Sequence, residues 1–166
     1  MLRGAIALTD QDWFEFLRRE AFSEAINFWT PTPWRIRQLI RGDRFCFFLK
    51  QPHRKISGGG TFVKYSEMTI QRAWERYGIG NGCENIDALK GKIKDFLGRP
   101  LTIQLMDHKI GCIELIDCKF LTNPRFVEPS KFAWEVPRTL QKWKIITVGD
   151  NFEDYLNTHG GQQKNG

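Results

Sequence analysis

The sequence predicts an α+β domain, a strand-rich core with helices inserted between the strands, and three observations point there. Apolar runs of strand character recur at Phe45 to Lys50, Ile56 to Tyr65, Leu101 to Met106 and Ile110 to Phe120. Between them, Ile70, Ala73, Trp74 and Tyr77 fall at i, i+3, i+4 and i+7, and Ile86, Leu89, Ile93, Phe96 and Leu97 mark a second helical face. The chain of 166 residues is 41% hydrophobic, enough for one core that buries roughly two thirds of the unfolded surface. No metal or disulfide framework is needed for that.

In chain order, Arg3 to Leu8 reads as a first strand. Thr9-Asp10-Gln11-Asp12 follows as a Ser/Thr-x-x-acid capping signal, with Thr9 as the cap. Trp13, Phe14, Phe16 and Leu17 then share one helical face and are expected in the core. Ala25 to Trp29 is a second strand, stopped by Pro31 and Pro33, which fix φ and lack the N–H a sheet needs. Trp34 is thereby expected on a stiff loop close to Trp29. Ile36, Leu39 and Ile40 suggest a helical turn closed by Gly42. Gln51 to Lys55 is a basic loop, and the strand after it contains Gly58, Gly59 and Gly60, a run that marks a bulge or a close approach of another chain or ligand. It is not a phosphate loop, because no Lys-Ser/Thr follows and the pattern continues as strand.

Gly78 and Gly98 close the two helices. Asp107-His108-Lys109 suits a tight hairpin between the strands on either side of it. Leu121 to Pro137 is irregular, Trp143 to Val148 reads as a last strand, and Phe152, Tyr155 and Leu156 as a final helical turn. The polar stretch from Thr158 to Gly166 is expected to be a disordered tail, leaving one domain over 1–157.

Composition narrows the function. Twenty-five Lys and Arg against 19 Asp and Glu leave a net charge of +6, and 13% of the residues are aromatic, including six tryptophans. A basic excess attracts polyanions, and interleaved rings offer stacking surfaces for bases. Cys46, Cys83, Cys112 and Cys118 form no C-x-x-C pair and the three histidines are not at ligand spacing from them, so no metal site and no cofactor are expected. There is no secretory segment and no apolar run of membrane length, which makes a cytoplasmic location with reduced thiols the expectation.

The densest conjunction of rings and charges is Asn27 to Tyr65. Trp29 and Trp34 would supply stacking faces for a base taken out of its stack. Asn27 and the backbone from Ser57 to Gly60 would supply contacts to its edge, and Arg35, Arg37, Lys50, Arg54, Lys55 and Lys64 the phosphate contacts. An enzymatic alternative is a metal-dependent nuclease, since Asp107 with Asp117-Cys118-Lys119 imitates an Asp…Asp-x-Lys arrangement. No Ser-His-Asp or Cys-His constellation has local support.

The ordered series Asn27-Phe28-Trp29-x-Pro31, Gly42-Asp43-x-Phe45-x-Phe47-x-Leu49-Lys50, Ile56-x-Gly58-Gly59-Gly60-x-Phe62, Ala73-Trp74-Glu75-x-Tyr77-Gly78-x-x-Asn81-Gly82 and Ile110-Gly111-Cys112 resembles the domain found ahead of HNH nuclease domains in modification-dependent restriction endonucleases. That domain is similar to the PUA-like superfamily, which includes the EVE, ASCH, YTH and SRA modules. The likeness spans roughly residues 1 to 150. It implies a curved, β-barrel-like sheet with flanking helices, and a pocket for a flipped methylated or hydroxymethylated cytosine. It also implies Asn27, Trp29 and the strand from Gly58 to Phe62 as pocket elements. The expected ligand is DNA carrying a modified base, with modified RNA as the alternative, no membrane, and an HNH domain or subunit as the partner that would cut. Two departures stand out. No HNH segment follows, so the chain itself is expected to lack chemistry of its own. Where the family tends to have Gln-Gly-Lys, this chain has Gln141-Lys142-Trp143-Lys144, which adds a ring and two positive charges.

Overall fold

A computed structural model of the chain describes residues 2–20, 22–98 and 107–161. The first strand, β1 (Leu2–Thr9), runs directly into α1 (Gln11–Glu20). The helix is capped by Asp10, whose carboxylate accepts the Trp13 N–H at 3.1 Å. The cap thus lies one residue later than expected, because Thr9 is still paired in the strand and its hydroxyl donates to the Ala7 carbonyl. Trp13, Phe14 and Leu17 are buried, as their spacing implies.

The next strands are β2 (Ile26–Thr30), β3 (Arg44–Leu49) and β4 (Ile56–Thr69), and β4 leads straight into α2 (Ile70–Tyr77). Phe45, Phe47 and Phe48 of β3 are all at most 1% exposed, so both faces of this strand are covered; each such ring stabilises the fold by about 1.5–3 kcal/mol relative to exposure. The segment before β3 is not the expected helical turn. It is an extended loop that tucks in Ile36 and Leu39 and leaves Ile40 66% exposed. Its end is held by Asp43, whose carboxylate accepts the Ile40 N–H at 2.9 Å.

A 3-10 turn (Gly78–Asn81) connects α2 toward α3 (Ile86–Leu97), which is capped by Asn85 and ended by Gly98 in the left-handed region. Then come β5 (Lys109–Phe120), a second 3-10 turn (Pro129–Phe132), β6 (Trp143–Val148) and α4 (Asp150–His159). Thr158 and His159, expected in a tail, belong to this last helix, and Gly161 exchanges two backbone hydrogen bonds with Phe120. The remainder of the expected tail, 162–166, and the expected strand from Leu101 to Met106 lie outside the described residues, and with that strand goes half of the expected hairpin.

The described strands form one sheet in the order β2-β5-β4-β3-β1-β6, antiparallel except for the β1–β3 pair. Register shifts at Gly59–Thr61 and Phe62–Lys64 put two irregularities into β4, and such bulges increase local bending and twist. The glycine run sits at the first. Gly58 has φ +156°, and a Cβ there would overlap the Lys119 carbonyl of β5. The close approach foreseen at these glycines is therefore made by the adjacent strands.

The curled sheet has two cores. The larger lies inside the curl among β1, β3, α1 and α4; the smaller lies on the outer face of β2, β5 and β4, under α2 and α3, around Ile70, Leu89, Ile93 and Cys112. Glu114 ties the second layer down: its carboxylate, 6% exposed as a residue, accepts the Tyr77 hydroxyl at 2.9 Å and an Arg76 N–H at 3.0 Å. Burial, reinforced by this carboxylate, pushes the Tyr77 hydroxyl upward. The architecture is thus α+β, as predicted. The curled sheet is not a closed barrel, because among the described strands β2 and β6 remain edges.

Candidate functional site

The two edges of the sheet bound the same cleft. One wall is the end of β2, with Phe28, Trp29, Thr30 and Pro31; the other is Gln141, Lys142 and Trp143 at the start of β6. Leu8, Asp10 and Trp13 line it from β1 and α1, Lys50 from the end of β3, and Phe96 from α3. Its volume is about 210 Å³. It is the seam where the barrel fails to close. The proline pair helps to keep it open, since Pro31 and Pro33 have no N–H with which β2 could continue pairing.

Trp29 is fixed in this wall by its indole N–H, which donates to the Asn81 carbonyl at 2.9 Å. Phe96 meets it edge-on at 5.8 Å between ring centroids, and the Lys50 ammonium lies 4.6 Å from the centre of the Phe96 ring. Phe96 is 47% exposed: it stands at the margin of the apolar stripe of α3, in the last turn, and serves the cleft more than the core. On the opposite wall Trp143 meets Trp34 edge-on at 5.7 Å, and the Lys142 ammonium sits 3.9 Å from the centre of the Trp34 ring. Burial lowers the Lys142 pKa. Among the described residues Asp10 is the one carboxylate lining the cleft, and one of its oxygens is occupied by the α1 cap.

Of the base-contacting residues expected from sequence, the cleft contains Trp29. Trp34 stands on the far side of Trp143, in an adjoining groove, rather than beside Trp29. Asn27 is fully buried on the outer sheet face. Its amide donates to Asn81 Oδ1 at 2.9 Å and approaches Cys112 Sγ at 3.4 Å, so it fastens the edge strand to the 3-10 turn and does not line the cleft. Ser57 is also buried, with its hydroxyl on the Phe47 carbonyl. Gly58, Gly59, Gly60 and Phe62 are buried between β3, β5 and α4. None of Asn27, Ser57, Gly58, Gly59, Gly60 and Phe62 lines the seam cleft; Gly59 and Gly60 instead line a separate space with Arg44, Thr61, Lys119 and residues of α4.

Of the expected phosphate contacts, Lys50 lines the cleft. Arg35 and Arg37 are exposed on the loop that carries Trp34. Arg54 packs 5.1 Å from the Phe48 ring and donates to the Pro137 carbonyl at 3.4 Å, while Lys55 is half-buried beside it in sequence. Lys64 is exposed on β4 opposite Glu114, two strands away from β2. Lys142, Trp143 and Phe96 complete the cleft; the departure at Gln141-Lys142-Trp143-Lys144 was the sequence signal for the first two.

The nuclease-like arrangement does not assemble. Asp107 precedes β5 and Asp117 lies near its far end, a separation of roughly 30 Å at strand rise, and the Lys119 amino group donates to Asn157. Among the described residues no group of three or more His, Cys, Asp or Glu side chains is placed to hold a metal ion. Nor is any helix among them long and apolar enough to cross a membrane.

No family model matches the sequence, and no curated protein does. Solved structures do. ASCH from Zymomonas mobilis is similar over 96% of each chain at 13% identity, with a TM-score of 0.55. A tyrosine-to-phenylalanine variant of that protein is similar over 95% of this chain and 99% of its own at 12% identity and TM-score 0.54. A serine-to-alanine variant is similar over 95% and 96% at 10% identity and TM-score 0.55. At these identities the likeness is one of fold alone: the chain has the fold of these ASCH structures.

Proposed function

We propose that the chain is a nucleic-acid-binding module that admits one unstacked base to the seam cleft between β2 and β6. The observation that carries this reading is the joint presence of Trp29, Phe96 and Trp143 with the Lys50 and Lys142 ammonium groups around one opening of about 210 Å³. Rings recover the cost of unstacking through base–aromatic contact worth about 1–3 kcal/mol, and the two cations attract the phosphates on either side of the base. The net charge of +6 adds long-range attraction.

In this reading the base is a modified one, with methylated or hydroxymethylated cytosine in DNA as the first case, and the chain recognises without cutting. Cleavage belongs to a separate HNH domain or subunit when the module serves restriction. The test is fluorescence-polarisation binding to oligomers that differ only in one base, cytosine, 5-methylcytosine, 5-hydroxymethylcytosine or N6-methyladenine, with RNA counterparts, at physiological salt. A preference for one modified base that Trp143→Ala abolishes supports the reading. Equal weak binding to every oligomer, unchanged in that variant, overturns it.

A further inference from the structure

The wall of the seam cleft formed by Trp143 has a second side. Behind it lies an open groove of about 350 Å³ lined by Trp34, Pro137, Thr139 and Leu140, and Gln141, Lys142 and Trp143 border both spaces. Trp34 is 44% exposed. A tryptophan buries a large apolar area when it is in a core, so a half-open one held by a second tryptophan and by a stiff proline loop is a surface kept available. Its backbone is pinned beside β5: the Trp34 nitrogen lies next to the Tyr65 hydroxyl and Gly111, where a Cβ on Gly111 would crowd both.

Lys142 stands on the crest between the two spaces. Its ammonium has no carboxylate within salt-bridge distance among the described residues; its ring partner is Trp34. Arg35 and Arg37 are exposed immediately after Trp34 on the same loop. An anion crossing the crest therefore meets an uncompensated cation with an aromatic side chain on either side, which is the order of groups that a nucleic-acid strand presents: base, phosphate, base.

We infer that the site takes two successive nucleotides of an unpaired strand, one base in the seam cleft, the linking phosphate on Lys142, and the neighbouring base on Trp34. This rests on the base-binding reading above and adds to it a one-sided requirement for a flanking base. It also defines the substrate class as single-stranded or looped nucleic acid, since a flanking base that stacks on Trp34 has left its own helix as well.

The experiment uses nine-nucleotide single strands of DNA and RNA with 5-methylcytosine at the centre. In companion strands an abasic residue replaces the centre, its 5′ neighbour or its 3′ neighbour, so that a base is removed while its phosphates stay. For the intact chain, the central abasic site weakens binding, and one of the two flanking abasic sites weakens it on the order of 10-fold, the worth of one stacked base. In Trp34→Ala that flanking penalty disappears while the central penalty remains, and Trp34→Phe restores most of it; the exposure of Trp34 leaves the melting temperature of both variants near that of the parent. Equal tolerance of both flanking abasic sites, or a flanking penalty that survives Trp34→Ala, overturns the two-nucleotide site and leaves the single-base cleft standing. Tolerance of the central abasic site overturns the cleft reading itself. Tighter binding of an intact duplex than of the single strand also overturns the inference.

Discussion

The Asn27 side-chain amide donates to Asn81 Oδ1 at 2.9 Å, and both residues are fully buried. Asn81 in turn donates to the carbonyls of Ala73 and Gly78, while its own carbonyl accepts the Trp29 indole N–H. One asparagine pair thus joins the edge strand of the seam to the end of α2, and positions the ring that lines the cleft without touching the cleft itself.

Asn81→Ala accordingly acts on stability. It removes the partner of the Asn27 amide and of two carbonyls, and each buried polar group left unpaired costs about 1–3 kcal/mol. A drop in the unfolding free energy of that order, seen by urea denaturation, is expected. Base preference at saturating folded protein stays that of the parent, because the backbone acceptor of Trp29 is retained.

Phe96→Ala acts on binding. The ring is nearly half exposed and contributes little to the core, but it covers the cleft between Trp29 and Lys50. The expected result is an affinity loss of about 1 kcal/mol or more with an unchanged melting temperature, read by titration and by thermal unfolding of the same preparation.

Lys142 sets stability against binding. Its pKa is lowered from 10.5 by burial, so just below pH 10.5 the unfolded chain holds more protons than the folded one, and stability rises with pH through that window. At pH 7 the charge weighs against the fold. Lys142→Met therefore keeps the melting temperature at pH 7 and flattens that alkaline rise. The same variant binds nucleic acid less tightly, with the slope of log affinity against log salt smaller by about one. Lys64→Ala, two strands from the seam edge, leaves the affinity for the read base unchanged.

Gly58→Ala tests the role of the glycine run. Its φ of +156° and the adjacent Lys119 carbonyl leave no room for a methyl group, so the variant is expected to lose stability or fail to fold. A well-folded Gly58→Ala protein with weakened binding would instead return this strand to the site.

Much of the element order was legible because it rests on local periodicity: the burial of Trp13, Phe14 and Leu17, the α2 face of Ile70, Ala73 and Tyr77, and the glycine ends of α2 and α3 all follow from spacing along a few turns. The Ile36 to Ile40 turn was misread because two apolar residues tucked into a loop imitate a helical face over so short a stretch. The surroundings of Asn27 were not legible for a different reason: a polar residue in a strand looks alike whether it faces a ligand or, as here, a buried partner 54 residues away.

The sequence by itself determined the α+β class, the positions of the main described strands and helices, and the basic and aromatic character of the chain; of the residues it singled out, Trp29 and Lys50 line the seam cleft. Only the tertiary structure decided where the opening lies. A sheet's edges are made by the pairing of strands distant in sequence, and its curl brings β2 and β6 to one cleft though they lie over 100 residues apart. Lys142 over Trp34, Phe96 beside Trp29 and the burial of the glycine run are consequences of that long-range pairing and packing, and no local pattern encodes them.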